Sequence, residues 1–258
     1  MDYRKGLKSY EQKKYSEAYK SFLESARRGN DGAQTDLGYM YETGLGISKN
    51  IDEAMYWYHE AAIKGNSRAK SNYAYLLEKH EKYNEAFTWL DEAANEGYIP
   101  AKLRLGCLYI MGKGIKKNNK KGYELIREAA ENDSPGAQHL LGTYYQYGLD
   151  FPNEAGLKVD LKEAEKWYSM AKDKDYTLSK SALAYLWAEK GINLNEAKIF
   201  AEDAVYKHPQ EGYCMDVLGW VLFKQCNYSE AVIQLEKATQ LSPKRILIKK
   251  HLAETYLM

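Results

Sequence analysis

The sequence predicts an all-α protein built from antiparallel helix hairpins, about seven of them followed by one further helix. Three observations support this fold class. A pair of small residues seven positions apart recurs along the chain, another small residue precedes each pair, and the five prolines lie outside the predicted helix interiors. A spacing of seven is about two helical turns, so both small residues of a pair share one helix face.

The second helix of each hairpin, helix B, has a large residue between its two small ones. In the stretch AMYWYHEAAIKGN, Ala54 and Ala61 flank Trp57. The large residues of the other six copies are Phe22, Trp89, Leu125, Trp167, Phe200 and Leu235. Small residues at this spacing let a neighbouring helix approach closely, and the large residue is predicted to fill the adjacent gap. The aromatic cluster around Trp57 is therefore predicted to belong to the core and to affect mainly stability.

The first helix of each hairpin, helix A, is marked by a small residue in an apolar phrase. DLGYMY, RLGCLY, LLGTYY and VLGWVL contain four of these residues, namely Gly38, Gly106, Gly142 and Gly219. A glycine inside a helix costs about 1 kcal/mol relative to alanine, so close backbone packing is expected to compensate. The interval from Gly142 to Ala164 is twenty-two residues, against twelve or sixteen in other hairpins, which predicts an enlarged loop over residues 148–160.

Composition argues against several classes of partner. The chain of 258 residues has 37 Lys and Arg against 36 Asp and Glu, a balance that gives no general attraction to nucleic acid or to an anionic membrane. No apolar run approaches the roughly 20 residues of a membrane span, and the N-terminus lacks the apolar core of a signal peptide. An odd number of cysteines is a poor disulfide framework. We therefore expect a cytoplasmic protein, with a monomer favoured.

Motifs for catalysis or for cofactor binding are weak. No HExxH or CxxC motif occurs, and no metal or cofactor is predicted. GLGISK and GKGIKK contain two glycines each but do not continue into a phosphate-binding loop, so they are predicted to be turns that end helices. The basic stretch KGIKKNNKKG is predicted to be a solvated loop, with contact to an acidic partner or a phosphate as the alternative.

The units with a sixteen-residue interval resemble Sel1-like repeats. The resemblance rests on the Leu-Gly pair at 37–38, Tyr41, the turn at 44–47, and Ala54, Trp57 and the alanines at 61–62. The twelve-residue units resemble tetratricopeptide repeats, most clearly over residues 212–243. The two families share the packing of helix hairpins, so the resemblance implies one right-handed α-solenoid, a superhelix.

The resemblance covers nearly the whole chain and implies a single domain, residues 1–258. Residues 1–32 would form a tetratricopeptide-like hairpin, residues 33–177 the Sel1-like repeats, and residues 178–258 further tetratricopeptide-like repeats with the final helix. That final helix, RILIKKHLAETYLM, is either a capping helix or the first half of a hairpin that lacks its second half.

Both families usually act as scaffolds, so the resemblance implies a non-catalytic adaptor that binds a protein or peptide in a concave groove lined by the A helices. The residue after each small position, with its neighbours about one turn away, is expected to face the groove. The predicted partner-binding residues are Tyr39, Tyr75, Cys107, Ile110, His139, Thr143, Tyr185, Trp220 and Phe223. Tyr and Trp offer a large contact area with a polar edge. Packing between adjacent A helices is an equally good interpretation of each aromatic ring.

Two other functions remain open. The first is a dedicated inhibitor or immunity protein that caps one toxin or enzyme. The second is a cysteine-dependent enzyme, in which His139 would activate the Cys107 thiol if stacking brought the two together. Nothing else in the sequence assembles around this pair, so the prediction remains that the protein is not an enzyme.

Overall fold

A computed structural model describes residues 3–151 and 156–258, which contain fifteen α-helices and one isolated β-bridge. Residues 1–132 and 133–258 form two compact units. The helices of the first unit are α1 (Tyr3–Glu11), α2 (Tyr15–Arg27), α3 (Asp31–Thr43), α4 (Ile51–Ala62), α5 (Ser67–Lys79), α6 (Tyr83–Asn95), α7 (Ile99–Met111) and α8 (Asn119–Glu131). Those of the second unit are α9 (Pro135–Tyr147), α10 (Leu161–Lys172), α11 (Thr177–Lys190), α12 (Leu194–Lys207), α13 (Gly212–Lys224), α14 (Tyr228–Leu241) and α15 (Ile246–Tyr256).

Each odd-numbered helix from α1 to α13 packs against the even-numbered helix that follows it. Within each unit, the even-numbered helix then packs against the first helix of the next hairpin. The first unit therefore contains four stacked hairpins, and the second contains three hairpins and a final helix. The predicted all-α array of seven hairpins and one further helix is confirmed for the described residues.

Asparagine side chains define the starts of several helices. Asn30 and Asn66 precede the A helices α3 and α5, and their side-chain oxygens accept hydrogen bonds from backbone N–H groups at 2.7 and 3.0 Å. Asn50 and Asn118 do the same for the B helices α4 and α8. The cap satisfies a donor that would otherwise lack a partner and typically contributes about 1 kcal/mol. Asparagine caps therefore recur at equivalent helix starts in different hairpins.

The two glycine-containing turns end helices α3 and α7, as predicted. Gly44 and Gly112 follow these helices directly and have φ angles of +81° and +67°, a region that favours glycine. The second glycine of each turn contacts the hairpin before it. A Cβ atom added to Gly114 would lie 2.3 Å from the backbone oxygen of Tyr83 at the start of α6. No residue larger than glycine fits at this position. The turn after α7 therefore packs directly on the backbone at the start of α6, in the preceding hairpin.

The small residue of helix A packs against one fully buried side chain of helix B. A Cβ atom on Gly38 would lie 2.7 Å from the ring of Tyr58, and one on Gly142 would lie 2.5 Å from the ring of Tyr168. The rings of Phe22 and the side chains of Ile126 and Leu235 contact the small residues of their own hairpins in the same way. In these five hairpins the large residue stands four positions after the first small residue of helix B, whereas in the hairpin of α11 and α12 the same position is Ala201.

The sequence analysis placed this contact one residue too early in several hairpins. Trp57 and Trp167 were predicted to fill the gap, but Tyr58 and Tyr168 do so. Trp57 instead belongs to a buried cluster that joins Phe22 of the preceding hairpin to Leu37 and Met40 of α3, in its own hairpin. Successive helical residues are about 100° apart, so neighbouring rings face different partners. The prediction that Trp57 belongs to the core is confirmed, since its side chain is buried.

The connection between α9 and α10 is the longest in the chain, as the sequence predicted. Leu149 and Leu157 form an isolated antiparallel bridge, with N–H to O distances of 3.0 and 2.7 Å. Residues 152–155 of this predicted loop, including Pro152, lie outside the described residues.

Replacing Gly38 with alanine tests the close contact with Tyr58. We expect Gly38→Ala to lower the free energy of unfolding by about 1–3 kcal/mol, because the added methyl group overlaps the buried ring. In a Tyr58→Ala background the ring is gone, and the same change should be neutral or stabilise by up to about 1 kcal/mol through helix propensity. Urea denaturation of the four proteins measures this double-mutant cycle. Equal effects in both backgrounds would contradict the packing described.

Candidate functional site

The A helices of the first unit enclose a cavity of about 390 Å³, which we call the N-unit pocket. Four elements and one turn form it. Its lining residues are Leu7 and Tyr10 from α1, Phe22 from α2, Thr35, Asp36 and Tyr39 from α3, Arg68 and Asn72 from α5, and Tyr98 just before α7. The predicted groove residue Tyr39 is 42% exposed at this pocket.

Two opposite charges pair inside the N-unit pocket. One carboxylate oxygen of Asp36 accepts a hydrogen bond from the Tyr3 hydroxyl at 2.6 Å, and the other lies 2.5 Å from a guanidinium nitrogen of Arg68. Burial opposes the charge of Arg68, but Asp36 more than offsets this, so the pKa of Arg68 is raised. Burial and the hydrogen bond to Asp36 raise the pKa of Tyr3 well above its usual range. The lining therefore carries no net charge at neutral pH.

Tyr75 and Cys107, two further predicted residues, lie beside a second ion pair of the first unit. The guanidinium of Arg104 lies 4.4 Å from the ring centre of Tyr75 and 3.5 Å from a carboxylate oxygen of Glu78. Burial raises the pKa of Glu78 despite Arg104. Burial, helped by the charge of Glu78, raises the pKa of the Cys107 thiol to about 11. This thiol is therefore protonated at neutral pH.

Ile110, predicted for the same surface, is half-buried against its own B helix. A Cβ atom on Gly122 of α8 would lie 2.5 Å from the Ile110 side chain. The residue therefore contributes to packing between α7 and α8.

The second unit has a smaller cavity of about 190 Å³, which we call the C-unit pocket. It brings together the predicted residues His139 and Thr143. The rest of its lining is Gln146, Tyr147, Tyr168, Leu178, Ala182 and Tyr213. The hydroxyl of Tyr168 donates to Gln146 at 2.8 Å and lies 3.2 Å from the Thr143 oxygen. No lining residue carries a formal charge at neutral pH, and Tyr147 is 67% exposed at the pocket.

His139 is held in its neutral form. Its ring lies 5.5 Å from the rings of Tyr168 and Tyr176, and its Nδ1 is 3.1 Å from the Ser179 hydroxyl oxygen. Burial lowers the pKa of His139 to about 4. A protonated thiol at Cys107 and a neutral imidazole at His139 are not the states of an activated cysteine nucleophile.

Trp220 and Phe223 belong to a packed cluster beneath the final helix. The indole of Trp220 stacks on Phe223 at 4.8 Å and on His251 of α15 at 4.1 Å, and its Nε1 donates to Glu189 at 2.5 Å. His251 also pairs with the buried Asp216, at 2.8 Å. Only 4% of Trp220 is exposed.

Tyr185, the last of the predicted residues, lies at the edge of the same cluster and is half-buried. Its ring centre is 6.0 Å from that of His251. Burial raises the pKa of Tyr185 well above its usual range, so the hydroxyl is neutral at physiological pH.

Sequence reasoning missed most of the N-unit pocket. Asp36 lies two residues before Gly38, Arg68 and Asn72 lie six and two residues before Ala74, and Tyr98 belongs to a turn. None of these residues stands one position after, three before or four after the small residue of an A helix, which are the positions that the sequence analysis assigned to the groove. The spacing of Arg68 and Asn72 is a detectable signal, because residues four apart share a helix face.

Residues 3–151 and 156–258 contain neither a helix that could span a membrane nor a cluster of side chains placed to hold a metal ion. No helix there combines the length and apolar character that a membrane crossing requires. No group of three or more His, Cys, Asp or Glu side chains is placed to hold a metal ion in those same ranges.

The stacked hairpins define a helical repeat protein of the α-solenoid class. The Sel1 repeat matches residues 32–66, 69–98, 99–134 and 135–176, which together are more than half of the chain. The chain therefore belongs to the Sel1 repeat family. Sel1 and tetratricopeptide-like repeat proteins generally mediate protein–protein interactions, and the Sel1 family is generally non-catalytic.

Similar proteins include much longer ones. Chitin synthase regulator SKT5 of Saccharomyces cerevisiae is 33% identical over 133 residues, which are 48% of this chain and 19% of SKT5. The Arabidopsis thaliana ERAD-associated E3 ubiquitin-protein ligase component HRD3A is 30% identical over 186 residues, 67% of this chain and 27% of HRD3A. The match thus spans less than a third of either relative. The crystal structure of a Sel1 repeat protein from Oxalobacter formigenes is similar with a TM-score of 0.72 and 27% identity, covering 92% of this chain and 96% of that one.

Alkylation of the cysteines tests the state of Cys107. With a pKa of about 11, only about one thiol in a thousand is ionised at pH 8, so iodoacetamide should modify Cys107 very slowly. Exposed Cys226 serves as the internal control and should react first. Peptide mass spectrometry after timed labelling measures both rates. Rapid labelling of Cys107 near neutral pH would contradict the buried thiol and support the cysteine-enzyme hypothesis.

The lowered pKa of His139 predicts acid sensitivity. As pH falls below about 6.5, the unfolded chain takes up a proton that the folded protein accepts only near pH 4. The stability associated with neutral His139 is therefore present above pH 6.5 and lost as pH falls to about 4, with a total of about 3 kcal/mol. Urea denaturation between pH 7 and 4.5 should show a shallower pH slope for His139→Gln. The exposed-residue control His80→Gln should keep the wild-type slope, and an unchanged slope in His139→Gln would refute the assignment.

Proposed function

We propose that this chain is a non-catalytic adaptor that binds a segment of a partner protein on the faces formed by its A helices. The observation that supports this best is that each unit has a pocket on its A-helix side that carries no net charge and is lined by three tyrosines among other residues. One tyrosine of each pocket is also well exposed, Tyr39 in the first unit and Tyr147 in the second. Membership in a family that generally mediates protein–protein interaction supports the same function.

Polar side chains of the pocket walls are held in place before binding. In the first unit Tyr3 and Arg68 hold the Asp36 carboxylate, and in the second the hydroxyl of Tyr168 donates to Gln146. Side chains already ordered before binding lose little conformational entropy when a partner arrives. Tyrosine supplies a large contact area through only two side-chain torsions, which explains why it is frequent at binding hot spots.

The charge pattern favours a protein over a nucleic acid as the partner. Arg68 and Arg104, the arginines in this part of the A-helix surface, are each paired with a carboxylate. A nucleic-acid site needs a basic stripe that neutralises phosphates, and these pairs leave no excess positive charge there. A protein segment with uncharged anchors fits both pockets.

Two double variants test this proposal, one with changes on the A helices and one with changes on the B helices. Tyr39→Ala with Tyr147→Ala removes one exposed A-helix tyrosine from each unit, whereas Tyr56→Ala with Tyr206→Ala removes exposed B-helix tyrosines as a matched control. Peptides selected from a random display library on the wild-type protein should bind the A-helix variant at least tenfold more weakly and the control normally. Circular dichroism checks that both variants stay folded.

The opposite result would contradict the proposal. If selected peptides bind the A-helix variant as tightly as the wild type, the A-helix faces are not the site. If no peptide is selected, but one folded protein forms a very tight one-to-one complex, the chain is a dedicated inhibitor.

A further inference from the structure

The geometry points to the N-unit pocket as the anchor site for one uncharged aromatic side chain, tyrosine or tryptophan, of the partner protein. This inference rests on the proposed function and names the chemistry that one part of the site recognises. It follows from the charge of the pocket, from its walls and size, and from the polar groups at its edge.

The charges of the pocket exclude charged ligand groups. Asp36 accepts contacts through both carboxylate oxygens, from Tyr3 and from Arg68. A cationic ligand group would have to displace one of these partners and would then lie beside the Arg68 cation. An anionic group could bond to Arg68 but would lie beside the Asp36 carboxylate. Breaking a partly buried ion pair leaves one charge poorly compensated, so either ligand pays a desolvation cost that a neutral group avoids.

The walls favour an aromatic ring over an aliphatic chain. Three tyrosines, Tyr10, Tyr39 and Tyr98, and the ring of Phe22 line the cavity. The Tyr10 and Phe22 ring centres are 6.4 Å apart, and the Phe22 ring, only 1% exposed, supports from behind the wall that Tyr10 presents to a ligand. Aromatic pairs in offset or edge-to-face geometry gain about 0.5–1.5 kcal/mol beyond the area that they bury. An inserted ring makes several such contacts at once.

The volume is sufficient for one aromatic side chain. About 390 Å³ is near the lower end of the range of small-molecule pockets, about 300–1,000 Å³, and leaves room beyond a single ring. The exposed ring of Tyr39 forms an open side, through which the backbone of a protein ligand can continue.

Polar groups at the edge favour a ring with its own hydrogen-bonding atom. Asn72 stands one turn after Arg68 on α5, and an amide has two donors and an acceptor. The Arg68 side chain is 46% exposed and has five N–H donors, of which the contact with Asp36 uses a part. Burial raises the pKa of Tyr98, so its hydroxyl remains a neutral donor or acceptor. A phenol hydroxyl or an indole N–H can bond to these groups, whereas the phenylalanine ring cannot.

Small probes test the chemistry without knowledge of the partner. We would measure binding of p-cresol and 3-methylindole to the full chain by saturation-transfer and titration NMR. Benzylamine and 4-methylbenzoate serve as the cationic and anionic aromatic controls, and 3-methylbutanol as the neutral aliphatic control. The two neutral aromatic probes should bind at least tenfold more tightly than all three controls and should compete with each other. Equal binding of either charged probe would overturn the charge argument.

Two variants place the binding in the pocket. Tyr39→Ala should weaken p-cresol binding at least tenfold, and Leu7→Trp should block it by filling the cavity without removing a polar contact. The surface variant Tyr206→Ala is the matched control and should bind normally. Unchanged p-cresol binding in both pocket variants overturns the inference.

The selected peptides separate this inference from the proposed function. Replacing the single Tyr or Trp of a selected peptide with Ala should weaken its binding to the wild-type protein. The same replacement should have no effect on binding to the Tyr39→Ala variant, and this pair of results supports the anchor. Peptides that bind the A-helix faces without needing an aromatic residue overturn the anchor but leave the proposed function standing. Binding of p-cresol without capture of any peptide overturns both the proposed function and the assignment of the pocket to a protein partner.

Discussion

The contact between the small residue of helix A and the buried ring of helix B determines the geometry of the hairpin. Gly38 against Tyr58 and Gly142 against Tyr168 bring two backbones together at a distance that a methyl group would prevent. The same two side chains also reach residues of the A helices, because the Tyr58 hydroxyl donates to Glu42 at 2.7 Å and that of Tyr168 donates to Gln146 at 2.8 Å. Core packing and the polar lining of the A-helix faces therefore depend on the same side chains.

Polar pairs on the A helices also serve both the packing of helices and the character of the A-helix faces. Asp36 with Arg68 and Glu78 with Arg104 are ion pairs that join neighbouring A helices of the first unit. In the second unit a hydrogen-bond contact between Asp216 and His251 joins α13 to α15. Such pairs contribute little net stability, since desolvation of the charges offsets most of their attraction. Their clearer effect is to neutralise a surface that would otherwise attract charged ligands. In the proposed function, the N-unit pocket therefore selects its ligand by the charged groups it excludes as well as by the groups it contacts.

The sequence was sufficient for the fold because its signals are local and repeated. Small residues seven apart, capping asparagines and glycine turns each specify a helix or its end. The small pair occurs in seven copies, which remove the ambiguity of any single copy. The register within helix B was less accessible, because Trp57 and Tyr58 are both large and only the neighbouring helices decide which one faces Gly38. The candidate site was predicted in part. Tyr39, His139 and Thr143 line pockets, but Trp220 is covered by α15, a tertiary contact that the pattern of a single helix does not encode.

The glycine turns have a consequence for how such arrays are assembled and can be rearranged. Gly46 contacts the backbone of Tyr15 and Gly114 that of Tyr83, each at the start of the B helix in the hairpin before. A hairpin with this longer turn therefore packs within itself and also has a turn whose shape fits the preceding hairpin. Such repeats have a direction, and the longer turn has a place to pack only when another hairpin precedes it. Duplication or shuffling of modules in this array would preserve packing when a hairpin moves together with the one before it, so the pair is the natural unit of exchange.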